Sequence, residues 1–160
     1  MTYKRALYLL LVCCTTALSV SAQASKDKAI AVVVHSTNPI TNLSLNELRQ
    51  VYLGDRKFWN RKTPIMVILH QAGAPETEVL LHSVVKMSDA EFAKQWESRV
   101  FRGEATAAPG VLFSNGMARA SVSSIPGAII LISFKEVKGN GKIIKVDGFL
   151  PGQPGYPLHE

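Results

Sequence analysis

Two histidines, His35 and His70, each follow an apolar run and open a polar loop. The first loop reads His35-Ser36-Thr37-Asn38, and the second runs from His70 through Gly73, Ala74 and Pro75 to Thr77. Ser114-Asn115 marks a third such place, at the start of a predicted helix. Backbone amides and the positive end of a helix dipole at such places attract an oxyanion. A facing pair of histidines can also bind metal or sense pH. No carboxylate or cysteine accompanies His35 and His70 at ligand spacing, so they read as polar loop residues, with no metal site expected. His82 and Ser83 are adjacent on a predicted helix and face different ways, which rules out a catalytic pair. The chain has no nucleophile-elbow motif, no phosphate-loop lysine motif and no defensible carboxylate pair. No enzyme and no cofactor is expected.

These loops need elements to hold them. "AIAVVV" (29–34), "IMVIL" (65–69) and "AIILIS" (128–133) are short, apolar and rich in β-branched residues, as buried strands are. "KIIKV" (142–146) is a fourth strand, after the Gly139-Asn140-Gly141 turn. Ser44 and Glu47 have capping-box spacing, with Leu43 and Leu48 at the staple positions, and Gly54 ends that helix. Pro75 suits the first turn of a helix running to about Val85. Ser88 and Glu91 repeat the capping box, and Phe92 and Trp96 share the apolar face that follows. Residues 101–113 read as irregular, and Ser114 caps a short helix to about Ser123. Apolar strands alternating with helices predict an α/β three-layer sandwich around a mostly parallel sheet. A strand as apolar as "AIILIS" then has helices over both faces.

The opening segment sets the expected compartment. Lys4 and Arg5 precede an apolar run, and Ala22-Gln23-Ala24 has the form of a cleavage site, so residues 1–24 read as a secretory signal peptide. Cys13 and Cys14 also fit a lipoprotein signal, but Val12 stands where that signal needs a small residue. The expectation is a protein of the periplasm or secreted space, not membrane-spanning once the signal is cleaved. Both cysteines lie in that segment, so residues 25–160 hold together without a disulfide. Net charge falls from +6 to +4 on cleavage. The basic residues are scattered, and nucleic acid is not an expected partner. Residues 25–147 form one domain on this reading, and 148–160 a Pro/Gly-rich tail.

The stretches "LSLNELRQVYLGDRKFWNRKTPIMVI", "AKQWESRVFRGEATAAPGV" and "VSSIPGAIILIS" resemble, in order and spacing, segments of periplasmic phosphate-binding proteins, the solute receptors of ABC-type phosphate uptake. The resemblance covers residues 29–133. It implies one lobe of a type II periplasmic binding protein, taking a small oxyanion such as phosphate and meeting a transporter or periplasmic protein partner. Ser36, Thr37, Asn38, His70, Gly73, Ala74, Thr77 and Ser114 are the ligand-binding positions it points to. Where small family members carry Gly-Ser-x-x-Arg, this chain has Ala74 at the serine position and Thr77 at the arginine position. Glu76 and Glu78 add negative charge to the same turn. The alternative is an accessory or interaction module that keeps the lobe and has lost the ligand.

Overall fold

The computed structural model describes residues 28–160. The predicted signal peptide lies outside them. The order is β1 (Ile30–Val34), β2 (Asn42–Leu43), α1 (Leu45–Tyr52), β3 (Met66–His70), α2 (Pro75–Val79) continuing as a π-helical turn over Leu80–Val85, α3 (Asp89–Phe101), β4 (Gly110–Leu112), α4 (Asn115–Ser124), β5 (Ala128–Ser133), a 3-10 turn over Phe134–Glu136, and β6 (Lys142–Val146). One six-stranded sheet has the order β2-β6-β1-β5-β3-β4. The pairs β2/β6, β3/β5 and β3/β4 are parallel. β1 runs antiparallel to both of its neighbours, β5 and β6. Five strands therefore share one direction and β1 opposes them.

The local rules that set the helix ends hold atom by atom. Ser44 and Glu47 close the capping box of α1, and Ser88 and Glu91 that of α3. Gly54 ends α1 at φ 78°, a left-handed value that glycine adopts without penalty. Pro75 occupies the first position of α2, where no amide is needed. Two short strands go beyond the sequence reading. β2 has two residues and β4 three, too few for a period to show, and only their partners β6 and β3 make them strands.

Alternation along the strands divides the core into two layers. Ile30, Val32, Val34, Val67, Ile129 and Leu131 face one layer, with α1, α2 and Trp96 of α3. Ala31, Val33, Ile68, Ile130 and Ile132 face the other, against Ala118 and Val122 of α4. All six residues of β5 are buried, because it lies between β1 and β3 with helices over both faces. β3 and β5 meet closely at Gly127, where a Cβ would stand 2.0 Å from the Pro64 carbonyl oxygen.

The segment read as a tail folds back onto the domain. Tyr156 and Leu158 are buried in the larger layer. The Tyr156 hydroxyl donates to the Ile30 carbonyl at 2.7 Å, and the Ile30 amide donates to the Leu158 carbonyl at 3.0 Å. Residues 148–160 thus continue the packed unit past Asp147. Gly152 and Gly155, both at positive φ, bend the chain back so that its apolar side chains reach the start of β1.

Candidate functional site

The polarity of β1 decides which candidate residues meet. Val34, the last residue of β1, lies opposite Ile129 near the start of β5, and opposite Lys142 at the start of β6. His35, Ser36, Thr37 and Asn38 therefore sit at the end of the sheet where β3 and β5 begin. His70, Gly73, Ala74, Thr77 and Ser114 sit at the other end, where β3 and β4 finish. A facing pair of His35 and His70 does not form. The sequence reading placed the loops after the first and second strands at one end of a mostly parallel sheet, and the reversal of β1 separates the two sets.

The loop after β1 is engaged with itself. His35 Nδ1 lies 2.9 Å from Thr37 Oγ1 and accepts the Thr37 amide. Asn38 is buried, its side-chain oxygen accepts the Ile40 amide at 2.9 Å, and its carbonyl accepts from Lys142 Nζ. Ser36 is exposed.

At the opposite end, β5, β3 and β4 finish side by side, and the first turns of α2 and α4 rise from them on opposite faces. The Gln71 amide extends the ladder to the Leu112 carbonyl at 3.0 Å. Gln71 to Ala74 then make a turn, with Gly73 at φ 77° and open space around it. The first turn of α2 is clasped to two strand ends. Thr77 Oγ1 donates to the His70 carbonyl at 2.8 Å, and Glu76 Oε1 accepts the Ser133 amide at 3.1 Å. Both side chains are buried. Glu78 instead pairs with His82 at 3.3 Å on the exposed side.

Three buried polar atoms at this end have no hydrogen-bond partner among the described residues: His70 Nε2, Asn115 Oδ1 and Ser133 Oγ. Such groups carry a desolvation cost unless something pairs with them. Alternation puts the His70 ring on the α4 face with Ile68, and Asn115 is the first residue of that helix. The Ser133 hydroxyl lies on the α2 face with Ile129 and Leu131. Half a turn of the Asn115 amide exchanges its acceptor for a donor in the same place. Ala74, at the cap of α2, has no side-chain oxygen, so the Glu76 and Thr77 amides have neither a side-chain cap nor an intrahelical acceptor. In α1 and α3 the capping boxes take up such donors, and Ser114 accepts the Met117 amide in α4. Opposing this set of donors is one fixed charge, the Glu76 carboxylate. Ser133 escaped the sequence reading; its one sign there was a polar residue closing an otherwise apolar strand.

Among the described residues no group of three or more histidine, cysteine, aspartate or glutamate side chains gathers to hold a metal. No described helix is long and apolar enough to cross a membrane.

No family model matches the chain. Solved structures do match its fold. A phosphate ABC transporter substrate-binding protein from Clostridium perfringens, solved with bound phosphate, aligns with a TM-score of 0.62 at 23% identity, over 78% of this chain and 47% of that one. An ABC-type phosphate transport receptor from Vibrio cholerae aligns with a TM-score of 0.55 at 21% identity, over 78% and 48%. PstS from Borrelia burgdorferi aligns with a TM-score of 0.57 at 16% identity, over 78% and 49%. The chain spans about half the length of each of these structures. It has a phosphate-binding-protein-like fold, the mixed α/β lobe the sequence resemblance implied.

Proposed function

We propose that this chain is an exported, non-enzymatic solute-binding-like domain that takes a small oxyanion, phosphate first, at the carboxyl ends of β3, β4 and β5. The observation that carries the reading is the pair of buried, unpartnered polar atoms, His70 Nε2 and Asn115 Oδ1, at the strand end that also holds the uncapped first turn of α2. Buried polar atoms favour a partner that satisfies them, and amides at a helix start favour an anion. Gly73 lets the chain turn there with open space around it. The phosphate bound in the Clostridium perfringens protein of similar fold makes phosphate the first ligand to try. His70, Gly73, Ala74, Thr77 and Ser114 belong to this site; Ser36, Thr37 and Asn38 do not, because β1 carries them to the other end. Thr77 shapes the turn through its bond to the His70 carbonyl and is not a free hydroxyl for the ligand. A transporter or another periplasmic protein is the partner class this reading implies.

A second reading has its own observation. Glu76 places a carboxylate on the Ser133 amide, so an internal anion already occupies a donor at this end. That favours an accessory module that keeps the lobe without a ligand. Thermal unfolding of residues 25–160 with millimolar phosphate, sulfate or molybdate separates the two. A ligand that binds only the folded state raises the midpoint. The receptor reading expects a rise with at least one anion that His70→Ala and Asn115→Ala each reduce. A flat midpoint with all three anions sinks it and leaves the accessory module.

A further inference from the structure

A groove of about 580 Å³ lies at the other end of β3 from His70. It opens between the arm Arg56–Phe58 and the loop Ala105–Pro109, where the β3/β4 ladder has not yet begun; that ladder starts at Ile68 opposite Gly110. Its walls come from both core layers, Trp96 and Val51 on one side and Ile125 on the other. The Trp96 indole N–H donates to the Tyr52 carbonyl at 3.1 Å, so the ring lines the groove with its one polar atom already paired. Alanines 105, 107 and 108 keep the loop wall thin. The volume lies within the range of small-molecule sites, about 300–1,000 Å³.

The charges at the mouth are uneven. Glu104 is held by Arg102 at 2.6 Å and Arg99 at 3.4 Å. Arg56 stacks over Trp59 and stands 3.8 Å from Glu47. Lys57 stands at the mouth on the same arm as Arg56; it makes no close ion pair among the described residues, and the acid it acts on, Glu104, is already held by Arg102 and Arg99. The lining carries Arg56 and Lys57 against one acid, Glu104, and an apolar floor beneath that excess of positive charge suits a molecule with a hydrocarbon body and one anionic end.

We infer that this groove is a second ligand site, separate from the strand-end site, and that it takes a medium-chain hydrocarbon carboxylate with its acid group at Lys57 and Arg56 and its chain against Trp96 and Ile125. Decanoate is the probe, titrated into residues 25–160 by calorimetry and by tryptophan fluorescence. Acetate supplies the head without the tail, and decyltrimethylammonium the tail with the opposite charge. Saturable binding of decanoate is expected, tightening about fourfold per methylene from octanoate upward. Acetate is expected to give no signal, and the cation to bind at least tenfold more weakly. Lys57→Glu, an exposed position, should weaken decanoate at least tenfold, and Ala107→Trp, on the exposed loop, should abolish it by filling the groove. Circular dichroism confirms that each variant is folded. No binding at millimolar decanoate overturns the inference. So does a cation that binds as well as the acid, or an Ala107→Trp variant that binds like the parent. Phosphate stabilisation is read separately and is expected to be unchanged in Ala107→Trp, so failure at one end is distinct from failure at the other.

Discussion

Thr77 and Tyr52 show how far residue type alone carries. Thr77 reads as a ligand position because the resemblance puts an arginine there, yet its Oγ1 donates to the His70 carbonyl, a role visible only once α2 lies over the end of β3. Tyr52, the last residue of α1, is completely buried. Its hydroxyl has no hydrogen-bond partner among the described residues. A phenol in that position is costly to bury, so Tyr52→Phe is expected to stabilise the protein by about 1 kcal/mol in urea unfolding. The same side chain sets a pH response. Burial raises the Tyr52 phenol well above its ordinary 10.0, and burial likewise raises Tyr156. Both neutral forms are favoured in the folded state, so their contribution is full below pH 10 and is lost as pH rises beyond it. Unfolding followed from pH 9 upward should show stability falling with pH, less steeply in Tyr52→Phe.

Elements defined by neighbours in the chain were legible; those defined by partners across the sheet were not. The capping box of α1 needs only Ser44 and Glu47, three residues apart, and the structure has each of its bonds. Ser44→Ala should cost about 1 kcal/mol. The Ser44 amide, and after it the Ser44 hydroxyl, lower the Glu47 carboxyl below its ordinary 4.5. A lowered acid stabilises the fold above the unfolded value and loses that contribution as pH falls through the folded one. Acid unfolding below pH 4.5 should therefore be shallower in Ser44→Ala than in the parent. β2 and β4 could not be read this way, because two or three residues carry no period and edge pairing is a long-range fact. The direction of β1 belongs to the same class. "AIAVVV" reads as a buried strand whichever way it runs.

At the scale of the whole molecule, the last residues join the first strand. Tyr156 and Leu158 are buried against β1, and the Tyr156 hydroxyl and the Leu158 carbonyl hydrogen-bond to the carbonyl and amide of Ile30. Burying two such side chains contributes about 3–6 kcal/mol, a large share of the roughly 5–15 kcal/mol a domain has in total. Removing Tyr156–Glu160 should lower the unfolding free energy measured in urea by an amount of that order, or leave the chain without a cooperative transition. The sequence by itself determined the apolar strands, the capped helices, the layer architecture and the resemblance to phosphate receptors. The elements rest on spacing along the chain, where local sterics, capping and hydrophobic period act, and the resemblance rests on the order of quoted segments. Only the tertiary structure decided that β1 opposes its neighbours, that His35–Asn38 and His70–Thr77 lie at opposite ends, that Glu76 and Thr77 turn inward, and that residues 148–160 pack. Those outcomes depend on which distant surfaces bury each other, and burial is set by the whole assembled core.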